Sequence, residues 1–431
     1  MTMLLVCFLL FIILGMPIAF VIGIAGFAFF ASVPYLNYQT ATQMIVSQSQ
    51  SFAFLAVPFF IFAGNLMNVS GITSRLLGLA RLLTRRMYGG TAQISVVLST
   101  LMGGVSGSAT ADAAMETRIL APEMERIGYS KGYICAVNCL TALITATIPP
   151  SLGLIIFGFV GEVSIGRLFA AGIIPGVLMM VFLMTVTTIT SRIRRFDPPK
   201  ADASKFSFAE IFNNLKESIW ALLFPVILIV GIRFGVFTPS ESGAFAVIYA
   251  IIVGKFVYRE LKWDNFKEAL FNSLKDIGAV MLIIAMSGPF SYAVTWVKLP
   301  VVLSSFIFGI TENPQLLVLI MLGFLFISGM FVDSNVNFLL LTPIFLPMVK
   351  SVGIDPVHFG VLMATIVTLG VMTPPIGSAL YTVCGIINCP VEDYTKESLP
   401  FLLAICLEIT ILVFLPDLVL WIPNMIFGPM R

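Results

Sequence analysis

The first 74 residues contain no charged side chain, and the first charge in the sequence is that of Arg75. Apolar runs that reach about 20 residues, the length at which a helix spans a bilayer, recur along the chain. Only 11% of the 431 residues are charged and 58% are hydrophobic, whereas soluble domains carry roughly 25% charged residues. The sequence therefore predicts an all-α polytopic membrane protein, without a soluble catalytic domain and without a surface for nucleic acid.

The sequence matches itself at an offset of 225 residues. The coincident residues are Gly104 and Gly329, Pro122 and Pro347, Gly128 and Gly353, and the pairs Pro149-Pro150 and Pro374-Pro375. No gap is needed between these positions, so an internal repeat is expected. We place the first repeat at residues 1–200 and the second at residues 201–431.

Charge decides whether the two repeats share one orientation in the membrane, because short cytoplasmic loops collect Lys and Arg. Residues 71–90 carry four arginines and no acid, but the matching residues 296–315 carry one lysine and one glutamate. Conversely, residues 255–275 carry five basic residues and the matching residues 30–50 carry none. Matched segments are therefore expected on opposite sides of the membrane, which is an inverted-topology repeat as in secondary transporters.

The apolar runs and their polar interruptions set the expected order of elements. The first repeat is predicted to hold a span over residues 3–31, a return over 52–67, a cytoplasmic surface helix over 71–87, a re-entrant hairpin over 92–118, a discontinuous helix over 133–160 and a span over 168–191. The second is predicted to hold a surface helix over 206–218, an extra span over 219–235, a span over 240–257, a surface helix over 263–275, a span over 278–296, a re-entrant hairpin over 315–350, a discontinuous helix over 357–388 and a last span over 397–425. This order places the N-terminus in the cytoplasm and the C-terminal Arg431 on the periplasmic side.

Polar residues interrupt the apolar segments at the two hairpin tips and at the two Pro-Pro pairs. Successive prolines remove two backbone donors and break a helix. Irregular backbone at membrane depth requires surrounding protein or a wet cavity, so the four interruptions are expected to meet near the middle of the membrane. The candidate substrate- and ion-binding residues are Ser106, Gly107, Ser108, Thr110, Asp112, Thr145, Thr147, Ser151, Gly329, Asp333, Ser334, Asn335, Asn337, Gly370, Thr373 and Ser378.

Hydroxyl and carbonyl oxygens suit sodium, and the N-terminal ends of half-helices attract an anionic group. Sodium ions are expected near Ser106, Ser108, Gly329, Asp333, Gly370 and Thr373. An alternative is that the hydroxyls and small residues only allow the helices to pack closely. For Asp112 and Asp333 a functional role is favoured, because a carboxylate at membrane depth costs roughly 2.5–3.5 kcal/mol.

The sulfur and imidazole side chains give no metal-binding pattern. The six cysteines are scattered: Cys7, Cys135, Cys139, Cys384, Cys389 and Cys406. No histidine or acid lies close to them at a metal-binding spacing, so they are expected to pack as small apolar residues. The only histidine, His358, is expected to be an interfacial residue at the outer mouth, with a role in proton coupling as the alternative.

Several stretches together resemble the large membrane subunit of the tripartite ATP-independent periplasmic (TRAP) transporters. They are Gly103-Gly-Val-Ser-Gly-Ser-Ala-Thr-Ala-Asp-Ala-Ala114, Ile148-Pro-Pro-Ser151, Phe237-Thr-Pro-Ser-Glu241, Val257-Tyr-Arg-Glu260, Gly353-Ile-Asp-Pro-Val-His-Phe-Gly360 and Thr373-Pro-Pro-Ile-Gly377. These motifs extend over nearly the whole chain. The resemblance implies an elevator-type secondary transporter of the bacterial inner membrane, driven by a sodium gradient.

The same resemblance implies two partners and a class of substrate. A soluble periplasmic binding protein would deliver a carboxylate, such as a dicarboxylate, a keto acid, a sugar acid or a sialic acid. A small membrane subunit would complete the scaffold. Because the chain begins directly at its first span, that subunit is expected to be a separate chain. The hairpin tips and broken helices would carry the sodium and substrate sites, with sodium as the coupling ion and no cofactor.

Two other functions are compatible with parts of the sequence. Gly104-Val105-Ser106-Gly107 matches the short Gly-x-Ser-Gly pattern of rhomboid-type intramembrane proteases, in which Ser106 would need a base such as His358 within about 3 Å. A channel, or an ion-coupled carrier that needs no binding protein, could be built on a related repeat. The repeat itself favours transport over proteolysis.

Overall fold

The computed structural model describes residues 2–50, 52–198, 208–309, 311 and 313–429, and the regular structure within these ranges is helical, without strands. The helices of the first part of the chain are α1 (Thr2–Ile13), α2 (Ile18–Ser32), α3 (Tyr38–Gln50), α4 (Ala56–Val69), α5 (Ile72–Thr84), α6 (Gly90–Met102), α7 (Ala109–Ile127), α8 (Lys131–Thr141), α9 (Leu143–Thr147), α10 (Leu152–Val160) and α11 (Ile165–Arg194). A 3₁₀ turn, Phe52–Leu55, precedes α4.

The second part of the chain contains ten further helices within the described ranges. They are α12 (Phe208–Arg233), α13 (Pro239–Ile252), α14 (Trp263–Trp296), α15 (Leu299–Phe308), α16 (Pro314–Phe331), α17 (Ser334–Ser351), α18 (Pro356–Val371), α19 (Ser378–Ile387), α20 (Val391–Phe414) and α21 (Pro416–Phe427). A π-helical turn, Val253–Val257, extends α13.

Six of the described helices are long and apolar enough to cross a membrane, or up to eight spans if each of two bent helix pairs counts as one. The bent pairs are α4 with α5, at 64°, and the α8–α9 segment with α10, at 44°. Length and hydropathy together confirm the prediction of an all-α membrane protein with several apolar spans.

Four sets of expected boundaries were wrong. The predicted span over residues 3–31 is two helices, because Pro17 cannot donate to a continuing helix and Gly15 takes a left-handed φ of +72°. The predicted last span over residues 397–425 also divides, into α20 and α21, at Pro416.

The other two differences concern the predicted surface helices of the second repeat. The surface helix over 263–275 and the span over 278–296 form one 34-residue helix, α14, because the only glycine near their junction is Gly278 and one glycine does not end a helix. The surface helix and span predicted over 206–218 and 219–235 likewise join in α12. The first two residues of that prediction, and Arg431, lie outside the described residues.

The buried core is centred on the hairpins and the broken helices. Each residue of α18 from Val357 to Val371 is buried, and so is each residue of α8 from Gly132 to Thr141. Helices α16 and α18 pack on each other, as do α8 and α20. The first hairpin tip and the first helix break are largely buried, whereas Asp333 at the second tip and Pro375, Ile376 and Ser378 at the second break are exposed.

Candidate functional site

The first hairpin turns at residues 103–108, between α6 and α7. Gly107 has a φ of +67°, which glycine adopts without strain. A side chain at this position would place its Cβ 2.6 Å from the carbonyl oxygen of Pro150. The tip also approaches Gly64 of α4, where an added Cβ would lie 2.9 Å from the Ser106 carbonyl oxygen. The tip of the first hairpin therefore packs closely between α4 and the helix break that follows α9.

The second hairpin turns at Val332 and Asp333, between α16 and α17. Asp333 caps α17, because its carboxylate accepts a hydrogen bond of 2.9 Å from the backbone N–H of Asn335. Asn337 closes the turn: its amide donates to the Val332 carbonyl oxygen at 2.9 Å and accepts from the Ser328 hydroxyl at 2.5 Å. These bonds hold the tip in one conformation.

The two tips meet at a pair of adjoining cavities. The larger cavity has a volume of about 490 Å³, and the smaller has about 140 Å³. Ser108, Thr110, Asp333 and Asn335 line both cavities. Eight of the predicted site residues are therefore brought together: Ser106, Gly107, Ser108, Thr110, Asp333, Asn335 and, in the smaller cavity, Ser151 and Ser334.

The N-terminal ends of three helices converge on the smaller cavity. Its lining includes Ser108–Thr110 at the start of α7, Ser151–Gly153 at the start of α10, and Asp333–Asn335 at the start of α17. The α7 end has no side-chain cap, since Ser108 makes no capping hydrogen bond. Helix N-termini present free N–H groups and a partial positive charge, so their convergence provides a site for an anionic group.

Asp112 lies one turn into α7 and is completely buried. Neither of its carboxylate oxygens has a hydrogen-bond partner. The hydroxyls of Ser106 and Thr145 are its polar neighbours, and the Thr145 hydroxyl itself donates to the Ser99 carbonyl oxygen at 3.4 Å. A buried carboxylate without a partner is costly, so Asp112 remains a candidate for a functional role.

Sequence reasoning missed Glu116, one turn beyond Asp112 on α7. Glu116 is also completely buried, but both of its oxygens are hydrogen-bonded: Ser95 donates at 2.6 Å and Ser99 at 2.7 Å. The Thr141 hydroxyl lies 2.7 Å from that of Ser95. Asp112 and Glu116 are thus one helical turn apart, but only the Glu116 carboxylate is hydrogen-bonded through both oxygens. The i, i+4 spacing of Asp112 and Glu116 was the available signal.

The remaining predicted site residues lie outside the cavity linings. The hydroxyl of Thr147 donates to the Leu143 carbonyl oxygen at 3.1 Å, and that of Thr373 donates to the Leu369 carbonyl oxygen at 2.7 Å. Ser378 is exposed at the start of α19. Gly329 and Gly370 face each other where α16 crosses α18, so close that a Cβ on Gly370 would lie 2.6 Å from the Gly329 Cα.

The larger cavity also has polar lining residues that the sequence did not single out. They are Asn65 and Asn68 on α4, Asp276 on α14 and Thr382 on α19. The Asn65 amide donates to the Ser273 hydroxyl at 3.0 Å and to the Asp276 carboxylate at 3.3 Å. None has a sequence signal of its own, because single polar residues in separate helices meet only after folding.

The arrangement that a serine protease would need is not formed by Ser106 and His358. The His358 ring nitrogen Nε2 lies 2.9 Å from the Leu412 carbonyl oxygen, between α18 and α20. The Ser106 hydroxyl instead accepts from the Ser108 backbone N–H at 3.3 Å. Both groups have local structural partners.

A helical membrane protein whose hairpin tips and helix breaks enclose a polar cavity belongs to the class of membrane transporters. Over residues 5–418 the chain matches the DctM component of the tripartite ATP-independent periplasmic transporters. The chain belongs to this family, and it is a large permease subunit of a TRAP transporter. Such permeases work with a substrate-binding protein and a small membrane subunit, and they are not enzymes.

Two relatives and one solved structure illustrate the similarity. The chain is 34% identical over 414 residues to the 2,3-diketo-L-gulonate TRAP transporter large permease protein YiaN of Escherichia coli, with 96% of each chain covered. It is 34% identical over 415 residues to the sialic acid TRAP transporter large permease protein SiaM of Vibrio cholerae, with the same coverage. The YdaH transporter of Alcanivorax borkumensis shares the fold, with a TM-score of 0.61, 15% identity and 89% of both chains covered.

Proposed function

We propose that this permease couples the uptake of a carboxylate to a sodium gradient, and that a periplasmic binding protein delivers the carboxylate. The observation that carries the proposal is the paired cavity between the hairpin tips, with three helix N-termini on one side and the unpartnered Asp112 beside it. Helix ends of this kind bind anions, and oxygen-rich breaks beside a buried carboxylate bind sodium in secondary transporters.

The size of the cavity and the helix N-termini that reach it support a small organic acid as the substrate. The residues that line the two cavities in the described part of the chain include no Lys or Arg, so the carboxylate group would be held by backbone N–H groups and hydroxyls. The smaller volume is suited to a carboxylate group, and the larger to the rest of the molecule. The substrates named for the two relatives, 2,3-diketo-L-gulonate and sialic acid, are both sugar acids.

The orientation that we propose places the basic face of the protein in the cytoplasm of a bacterial inner membrane. On this face Arg81 pairs with Glu123 at 2.7 Å, and Arg194 pairs with Glu397. Helix α11 runs from this face across the protein, and near its other end Arg167 bonds to the Gly428 carbonyl oxygen at 2.6 Å. The C-terminus would therefore be periplasmic, and the alternating spans would return the N-terminus to the cytoplasm.

Uptake into proteoliposomes tests the proposal. The vesicles would hold this chain with its small subunit, and a panel of radiolabelled carboxylates would be offered with and without an inward sodium gradient and the cognate binding protein. We expect uptake that needs both. Asp112→Asn, which removes the charge and keeps the shape, is expected to abolish the sodium dependence while the protein stays folded.

The control variant is Ser49→Ala, whose exposed hydroxyl bonds only to the Val46 carbonyl oxygen within α3. It is expected to transport like the wild type. Transport with sodium but without the binding protein would point to a stand-alone carrier, and downhill flux with neither would point to a channel. Unchanged sodium dependence in Asp112→Asn would remove the cation site from this position.

A further inference from the structure

Three cysteine sulfurs converge at the junction of α8, α19 and the segment that leads into α20. Cys135, Cys384 and Cys389 are buried, and their three Sγ atoms all lie within 4.8 Å of one another. Among the described residues they form the only group of three or more Cys, His, Asp or Glu side chains with this proximity. From the sequence alone these cysteines were expected to pack as small apolar residues, because the cluster joins positions about 250 residues apart in the chain.

Local structure explains why the two later sulfurs point to one place. Helix α19 ends with Asn388 in the left-handed region, at a φ of +50°. The chain then folds back, so that the Cys389 N–H donates to the Cys384 carbonyl oxygen at 2.9 Å. A left-handed cap of this type reverses the chain over the last helical turn. It brings Cys389 over Cys384, and α8 supplies Cys135 from the facing side.

We propose that these three cysteines form a binding site for a soft, thiophilic metal ion, with monovalent copper as the biological ion that fits best. Thiolates select soft ions, and three sulfurs without a fourth ligand suit the trigonal coordination of copper(I) better than the tetrahedral coordination of zinc. Each thiol would lose its proton to water on binding, and a sulfur–metal bond would replace the sulfur–hydrogen bond. No change of oxidation state is required.

A positive charge lies near the site. Cys135 lies one turn from the start of α8, where the Lys131 ammonium group donates to the Ile387 carbonyl oxygen at 2.9 Å. The cluster is therefore close to the basic face of the protein and not at mid-membrane. At present the Cys135 thiol donates to the Val383 carbonyl oxygen at 3.8 Å and the Cys389 thiol to the Pro390 carbonyl oxygen at 3.4 Å. Neither weak bond would oppose metal binding strongly.

A bound ion would link two half-helices that flank the helix breaks. Helix α8 leads into the first helix break, and α19 follows the second break and lines the larger cavity through Thr382. Three metal–sulfur bonds would fix these half-helices relative to each other. The ion is therefore expected to raise the unfolding temperature of the protein and to slow transport.

Metal titration of the purified, reduced permease with its small subunit tests the proposal. Copper(I) would be delivered in competition with a chromophoric chelator, with sulfur-to-metal absorption in the ultraviolet as a second readout. We expect one ion per chain. Loss of any one ligand by Cys135→Ser, Cys384→Ser or Cys389→Ser is expected to weaken binding by at least about 100-fold, since even outer-shell changes cost up to that much.

Matched controls are available on the same chain. Cys139→Ser removes a buried thiol one turn along α8 that lies outside the cluster, and Cys406→Ser removes an exposed one. Both are expected to keep the wild-type affinity. If a ligand variant unfolds, protection of the three wild-type thiols from alkylation by the ion gives the same information. No binding by the reduced wild type, or binding that survives all three ligand substitutions, would refute the site.

Discussion

Replacing Gly329 with alanine should separate the second hairpin from the second broken helix. Gly329 lies on α16 where it crosses α18, and an added Cβ would be 2.5 Å from the Val367 carbonyl oxygen and 3.1 Å from the Gly370 Cα. Both atoms belong to the backbone, so neither can move aside by changing a rotamer. Small residues at such crossings allow membrane helices to approach closely.

The size of the effect follows from these distances. Ordinary contacts of a Cβ begin at 3.4 Å, so the two helices must separate by about 0.9 Å, the difference between that contact and 2.5 Å. Overpacking of this kind costs about 1–3 kcal/mol. The apparent unfolding temperature of Gly329→Ala, followed by intrinsic tryptophan fluorescence in detergent, should therefore fall, and sodium-driven uptake should fall with it.

Gly323→Ala is the matched control, because it lies on the same helix and its added Cβ would meet no atom within 4 Å. There the substitution only removes the backbone freedom of glycine, which is expected to stabilise the helix by roughly 0.5–1 kcal/mol. The two variants should move the unfolding temperature in opposite directions. Equal shifts in both would refute the argument that backbone contact at the crossing limits this position.

Two further predictions concern the basic face and the buried acid network. A cysteine in place of Arg81, in a background without exposed Cys406, should react with a membrane-impermeant thiol reagent only in inside-out vesicles; labelling from the periplasmic side would overturn the proposed orientation. Glu116→Ala should destabilise the protein by about 1–3 kcal/mol, because the Ser95 and Ser99 hydroxyls lose their acceptor. Glu116→Gln, which keeps one acceptor oxygen, should lose less, and equal losses would contradict the hydrogen-bond explanation.

The sequence was most informative where backbone chemistry determines the structure. Pro149-Pro150 and Pro374-Pro375 mark helix breaks that need no tertiary information, because proline has no N–H to donate. The glycine and hydroxyl residues of the first hairpin tip likewise indicated an interruption of the helix from the sequence alone. Helix boundaries without such signals were less predictable: α14 continues past Lys275 because no residue there ends it.

The parts of the site that the sequence did not reveal depend on contacts between distant segments. Glu116 gave no local signal beyond its spacing from Asp112, and its partners precede it by 17 and 21 residues. The cluster of Cys135, Cys384 and Cys389 requires α8 and α19 to be adjacent, which no spacing within the sequence discloses. Hydropathy locates a polar residue in a helix, but only packing decides what that residue faces.

Asp112 and Asn337 show how two matched positions can differ in hydrogen bonding. They coincide at the repeat offset, and both are buried at the start of the second arm of a hairpin. The Asn337 amide is already bonded to Ser328 and Val332 and holds its tip closed. The Asp112 carboxylate has no hydrogen-bond partner. A residue whose polar atoms are already bonded has little capacity left for a ligand, and an unpartnered one is costly to keep unless something binds it. The cation site is therefore expected at the first hairpin, and the repeat alone would have assigned it equally to both.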